Sequence, residues 1–239
     1  MKQQGPSIIA GIDIGSSTTR VIITEHTGQG SHPRVLGAGR SETLGISRGY
    51  VIHEEEAVRS LTQAIRMAEK SADVKLERVY VCMGGVSLET ELHTVDFQIT
   101  KKEITRKDLI AMGRQASEEF LVKSKNRSVL HAIPIGYRLD GEELFADPVG
   151  MSGLTLSADF SLVTCLTQHR DGLVSVVART GIDIIDIVAS PIAASVVALS
   201  KRAALLVLHL STLDLKPSLS LSLNMTHWSM SLWYPVEHP

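Results

Sequence analysis

The sequence predicts an α/β protein whose texture changes part-way along the chain. Over the first 202 residues, short β-rich runs alternate with helix-patterned stretches, the pattern of α/β folds. Residues 8–23 read IIAGIDIGSSTTRVII, two apolar runs joined by a small polar turn. Near residue 84 a glycine pair breaks a buried run, and strictly alternating segments follow.

The elements follow in order. Residues 8–14 and 19–23 are strands around the Gly-Ser-Ser-Thr turn, and 34–41 (RVLGAGRS) form a third. Gly45 to Val51 reads as a turn with a short strand. His53 to Ser71 is a helix: Val58, Leu61, Ile65 and Ala68 recur at a spacing of three to four, with charges between. Its Glu54–Glu56 run suits a helix start, where the dipole favours anions. Residues 78–83 (RVYVCM) form a buried strand ended by Gly84-Gly85.

Beyond 84, Val95, Phe97 and Ile99 alternate, predicting a strand within 86–99. Thr105 opens a helix with Asp108 three residues on, a capping box with Asp in place of Glu. Leu109, Met112, Ala116 and Phe120 give it one apolar face. Residues 128–139 form a strand interrupted at Pro134, a turn follows at Asp140-Gly141, and 144–154 read as loop. A strand at 155–166, a helix from Gln168 to Thr180 capped by Gly181, and a strand at 182–188 come next. Pro191 starts a small-residue helix, where proline is tolerated.

Composition excludes several classes. A length of 239 residues suffices for one or two domains with a sizeable core. A net charge of -2 supplies no basic field for nucleic acid, so no nucleic-acid partner is expected. Cys82 and Cys165 both sit in apolar runs, which predicts buried thiols and a reducing, cytoplasmic setting. The polar start MKQQGPS has no signal-peptide core, and no run of 18 apolar residues predicts a spanning helix. His131, inside an apolar strand, reads as structural, and the other histidines lack metal-ligand spacing.

The first turn carries the chemistry. Glycine at 11 and 15 lets a backbone approach a ligand. Amides of Gly15, Ser16, Ser17 and Thr18 can face phosphate oxygens. Asp13 then suits a hydrated Mg²⁺, a hard ion that keeps its waters. An ordinary hairpin with a polar turn fits the same pattern.

Residues 203–239 differ. Ten leucines and both tryptophans stand there beside one lysine and two acidic residues. Such a stretch is an aggregation or interaction liability. It lacks the basic face of an interfacial helix, which favours a degenerate tail over a membrane strap.

Together the motifs resemble the FtsA family of actin-like bacterial division proteins, from about residue 8 to 202. The resemblance rests on GIDIGSSTTRVII, GISRGYVIHEEEAVRSLTQAIRMAEKSA, VYVCMGG, EITRKDL, VLHAIPIGYRLDG, ADPVGMSGLTL and GIDIIDIVASPIAASVVAL. The first motif is common to actin, Hsp70 and sugar kinases. HAIPIGYRLDG followed by DPVGMSG is far more specific, and resembles the small domain that sets FtsA apart. PilM-type pilus proteins are the nearest confusable relatives, and a sugar kinase ranks below both.

The resemblance implies an α/β actin/Hsp70-like ATPase lobe, incomplete here, with an inserted small α+β (SHS2-like) domain. Residues 7–83 plus 166–210 would be the lobe, 84–165 the insert, and 211–239 an aberrant low-charge tail. It implies ATP and Mg²⁺ as cofactors. Asp13, Gly15, Ser16, Ser17, Thr18 and Thr19 would form the first phosphate loop, with Mg²⁺ on Asp13 through water. Slow ATP hydrolysis is expected of the family, and an impaired form here. FtsZ, later division proteins and self-association through residues 84–165 are the implied contacts. The implied place is the cytoplasmic face of the inner membrane at the division septum, although the family's membrane helix has no counterpart here.

Two departures bear on that picture. Ser190 precedes Pro191 where the family often has an acidic or polar residue. Residues 205–214 (LLVLHLSTLD) keep an apolar strand but lack the second, Gly-rich phosphate loop. Read in a shifted frame, residues 216–239 admit a strand–turn–strand ending in Val-Pro-x-Gly-Gly, so a frameshift between about 209 and 215 is expected. The alternatives to a division protein are a fragment that binds nucleotide weakly or not at all, and a PilM-like pilus assembly homologue.

Overall fold

The computed structural model describes residues 7–27, 33–100 and 103–198. These fall into two compact units: residues 7–87 with 166–193, and 88–165 with 194–198. The expectations about the low-charge tail, its frame and the missing second loop lie outside the described residues.

The first unit is built on β1 (Ser7–Ile14), β2 (Thr18–His26), β3 (Arg34–Glu42), β6 (Arg78–Met83) and β11 (Asp183–Ala189). They form one sheet in the order β11-β6-β1-β2-β3. β1, β2 and β3 pair antiparallel in sequence, while β6 runs parallel to both β1 and β11. Alternation in β1 and β6 buries Ala10, Ile12, Ile14, Val79, Val81 and Met83 on one face. Helices α1 (Glu54–Ala72) and α3 (Thr167–Ala178) cover that face. Of its predicted apolar period α1 buries Leu61, Ile65 and Ala68, together with Ala57 and Ala64, whereas Val58 is only half-buried. Its backbone lies so close to β3 that a Cβ at Gly39 would overlap the Ala64 carbonyl. A Cβ at Gly37 would stand 2.6 Å from the Ala68 carbonyl oxygen. Two glycines on β3 are therefore what lets helix and sheet meet.

The predicted turn at 45–51 is a small hairpin of its own, β4 (Ile46–Ser47) and β5 (Tyr50–Val51). Its two turn residues, Arg48 and Gly49, have φ of 52° and 91°. Paired positive φ values belong to the type I′ turn that matches strand twist.

The second unit has a sheet ordered β7-β10-β8-β9, from β7 (Glu89–Gln98), β8 (Arg127–Leu139), β9 (Glu142–Leu144) and β10 (Thr155–Leu166). Helix α2 (Arg106–Lys123) packs on it. Leu109, Met112, Ala116 and Phe120 meet Val95, Val129, Leu156, Ala158, Phe160 and Leu162 in one core. The Thr105–Asp108 capping box forms in full: each side chain bonds the other residue's backbone N–H. Asp140-Gly141 makes a second I′ turn, with φ of 50° and 90°.

Pro134 does not interrupt β8, contrary to expectation. β9 pairs β8 only from Tyr137 to Leu139. Within sheets proline is tolerated at edges, strand starts and bulges. Residue 144 also joins β9 rather than the loop. Helix α4 (Ser190–Ala198) follows β11.

Candidate phosphate site

The register brings the carboxyl ends of three parallel strands together. Asp13 on β1 stands beside Cys82 on β6, and Cys82 beside Val188 on β11. One step further lie Gly15–Ser17, Gly84-Gly85 and Ser190. Ligands of open α/β sheets bind outside such strand ends.

Gly15 and Thr18 close the β1–β2 turn, the Gly15 N–H donating to the Thr18 carbonyl at 3.1 Å. A Cβ at Gly15 would lie 3.1 Å from that oxygen, so glycine suits the closure. Ser16 and Ser17 are the two exposed turn residues. The Ser17 carbonyl accepts from the Thr43 N–H at 3.1 Å. The Ser16 hydroxyl oxygen accepts from the Gly49 N–H at 3.3 Å. Both turn residues are thus tied from outside the hairpin. The Ser16 and Ser17 amides have no bonded partner among the described residues.

The expected site residues therefore divide. Ser16 and Ser17 present hydroxyls and amides. The Gly15 amide, expected as a ligand donor, is engaged within the turn. Thr18 is buried, and Thr19 is fully buried with its hydroxyl 2.7 Å from that of Thr43. Thr19 thus anchors the turn from beneath and presents nothing outward.

Asp13 is half-exposed and lies 3.4 Å from the Arg20 guanidinium across the hairpin. Its charge adds to burial in pushing the Cys82 thiol pKa up, burial being the larger cause. Among the described residues no three His, Cys, Asp or Glu side chains are grouped to hold a metal directly. Asp13 could then act on Mg²⁺ through its water shell. At the same end, the Ser190 hydroxyl oxygen is buried without a partner among the described residues. The exposed amides, the carboxylate and this orphaned hydroxyl suit a hydrated magnesium phosphate group.

Sequence reasoning missed Thr43 and Gly49, which fix the turn. Their partners lie 24 and 33 residues away. The Gly-rich string GISRGYV was the one local signal.

An open-ended α/β lobe whose sheet carries a polar turn at its strand ends, interrupted by a compact second unit, defines an actin-like architecture with an insertion. A family model described as "SHS2 domain inserted in FTSA" matches residues 85–164. The cell division protein FtsA of Escherichia coli K12 is 28% identical over 197 residues, 82% of this chain and 46% of that protein. FtsA of Bacillus subtilis is 29% identical over 194 residues, 80% of this chain and 43% of that one. A solved PilM-PilN type IV pilus biogenesis complex aligns with a TM-score of 0.53 at 12% identity, covering 77% of this chain and 48% of that one. That likeness is one of fold. The chain is FtsA-like, and it spans less than half the length of the curated relatives named here.

Proposed function

We propose that this chain is the nucleotide-binding lobe, with its inserted domain, of an actin-like ATP-binding cell-division protein. The observation that carries the reading is the Ser16–Ser17 turn, with two unpartnered amides at the carboxyl ends of β1, β6 and β11. Ser16 and Ser17 would bind phosphate oxygens, and Asp13 would hold the hydrated Mg²⁺. Thr18 and Thr19 would fix the turn from below. Bound Mg-ATP would supply the phosphoryl group for slow transfer to water, a reaction that rests on positioning and charge neutralisation.

Likeness to the FtsA proteins supports the finer reading. The intact protein would link the FtsZ ring to the inner membrane, recruit later division proteins and self-associate through residues 84–165. No helix among the described residues is long and apolar enough to cross a membrane. By likeness to the FtsA proteins, membrane contact would be peripheral.

A fluorescent fusion of the chain in a dividing bacterium tests the division role. A band at the septum supports it, and uniform signal at matched expression opposes it.

A further inference from the structure

His169 lies in the first turn of α3 and is 2% exposed. Its Nδ1 bonds the Ser87 hydroxyl. Its other nitrogen, Nε2, is left for the backbone hydrogen bond it makes with Gly49. In the tautomer with its proton on Nε2, the ring would donate toward the Gly49 backbone and accept from the Ser87 hydroxyl on Nδ1. The Tyr50 ring stacks on the imidazole, with centroids 4.7 Å apart at 24°.

These contacts pack the β4–β5 turn closely against Gly84, Gly85 and His169. A Cβ at Gly49 would stand 2.6 Å from the Gly84 carbonyl oxygen and 2.8 Å from His169 Cε1. A Cβ at Gly85 would meet the Arg48 carbonyl oxygen and His169 Cε1, both at 2.8 Å. The Val86 N–H also reaches the Arg48 carbonyl at 3.4 Å. The far side of Gly49 carries the N–H that binds Ser16. A hydroxyl that accepts there keeps its own proton free to donate.

We propose that His169 is a positioning residue for the Ser16–Ser17 turn, acting through Gly49: the imidazole fixes the β4–β5 turn, and that turn sets the Ser16 hydroxyl as an outward donor. Burial holds the ring neutral, lowering its pKa against the raising effect of the Gly49 bond. Only the neutral ring can accept from Ser87 while donating to Gly49. The site thus extends from a loop that touches ligand to a histidine that does not. It also reaches the chain crossings, since Ser87 ends the first stretch of this unit and Leu166 begins the second.

The ligand end of this inference rests on the phosphate reading, while the positioning does not. The test measures backbone amide exchange in the full chain, with His169→Phe, His169→Gln, Ser87→Ala and, as a general destabilising control, Leu173→Ala. His169→Phe keeps a ring for Tyr50 and loses both nitrogens. It should speed exchange of the Gly49 and Gly15 amides about tenfold beyond any change in the rest of the sheet. His169→Gln, which keeps a donor and an acceptor, should restore most of the protection. Leu173→Ala should raise exchange evenly. Equal effects of His169→Phe and Leu173→Ala at Gly15 and Gly49, or no rescue by glutamine, would overturn the proposal. If His169→Phe does not fold, Ser87→Ala decides: faster exchange at Gly49 supports the proposal and unchanged exchange overturns it. Titration with Mg-pyrophosphate reads the ligand end separately. A wild-type chain that shows no binding removes the phosphate assignment and leaves the exchange result standing.

Discussion

The hydroxyls of Thr19 and Thr43 meet 2.7 Å apart beneath the β1–β2 turn, both buried. Replacing either threonine by valine leaves the other hydroxyl without that partner in a dry site, at a cost of about 1–3 kcal/mol. Replacing both removes the orphan. Denaturant midpoints of the two single variants and the double should show strong non-additivity, the double costing less than the sum.

Gly39→Ala tests the close seat of α1 on β3. The added methyl would overlap backbone, which cannot give way as a side-chain end can. Destabilisation of about 3 kcal/mol is expected, the upper part of the range for overpacking. Gly172→Ala is the control, because its Cβ would meet Val51 at 3.4 Å or more and fit. Thermal melts of the two variants should separate clearly.

His131 predicts a pH dependence for the second unit. Burial lowers its pKa from 6.5 to about 4. The unfolded chain then binds the proton more readily than the folded one, so stability falls as pH drops. The loss starts near pH 6.5 and is complete near pH 4, reaching about 3 kcal/mol. His131→Asn, which cannot ionise, should flatten stability over that window while lowering it at pH 7. Urea titrations across the window, read by a probe in residues 88–165, check the slope.

Much of this fold is legible in the sequence where the determinants are local. The α1 helix and the Thr105–Asp108 box depend on residues within a turn or two; the box formed as read, and α1 formed with Leu61, Ile65 and Ala68 buried but Val58 only half-buried. Pro134 was misread because its tolerance depends on the pairing around it, and β8 runs on through it. The candidate site was half legible. The turn and Asp13 show in GIDIGSSTTR, but the burial of Thr19 depends on Thr43, and the pose of Ser16 on Gly49. Neither partner can be inferred before β2, β3 and the β4–β5 hairpin are placed in space.

Residues 84–165 should fold alone, since the core around Phe160, Leu156 and Met112 is drawn wholly from that stretch. An isolated fragment should give a dispersed amide spectrum. A collapsed spectrum would count against a self-sufficient insert.

The central claim is that the Ser16–Ser17 turn binds nucleotide phosphates, and amide shift perturbation on titration with Mg-ATP tests it most directly. The account predicts saturable shifts centred on Ser16 and Ser17, lost in Asp13→Ala. It also predicts a dissociation constant weaker than roughly 100 µM, because residues 205–214 (LLVLHLSTLD) carry no second Gly-rich loop to close on the phosphates. Shifts elsewhere with none at the turn would contradict the account, and low-micromolar affinity would contradict the one-sided site.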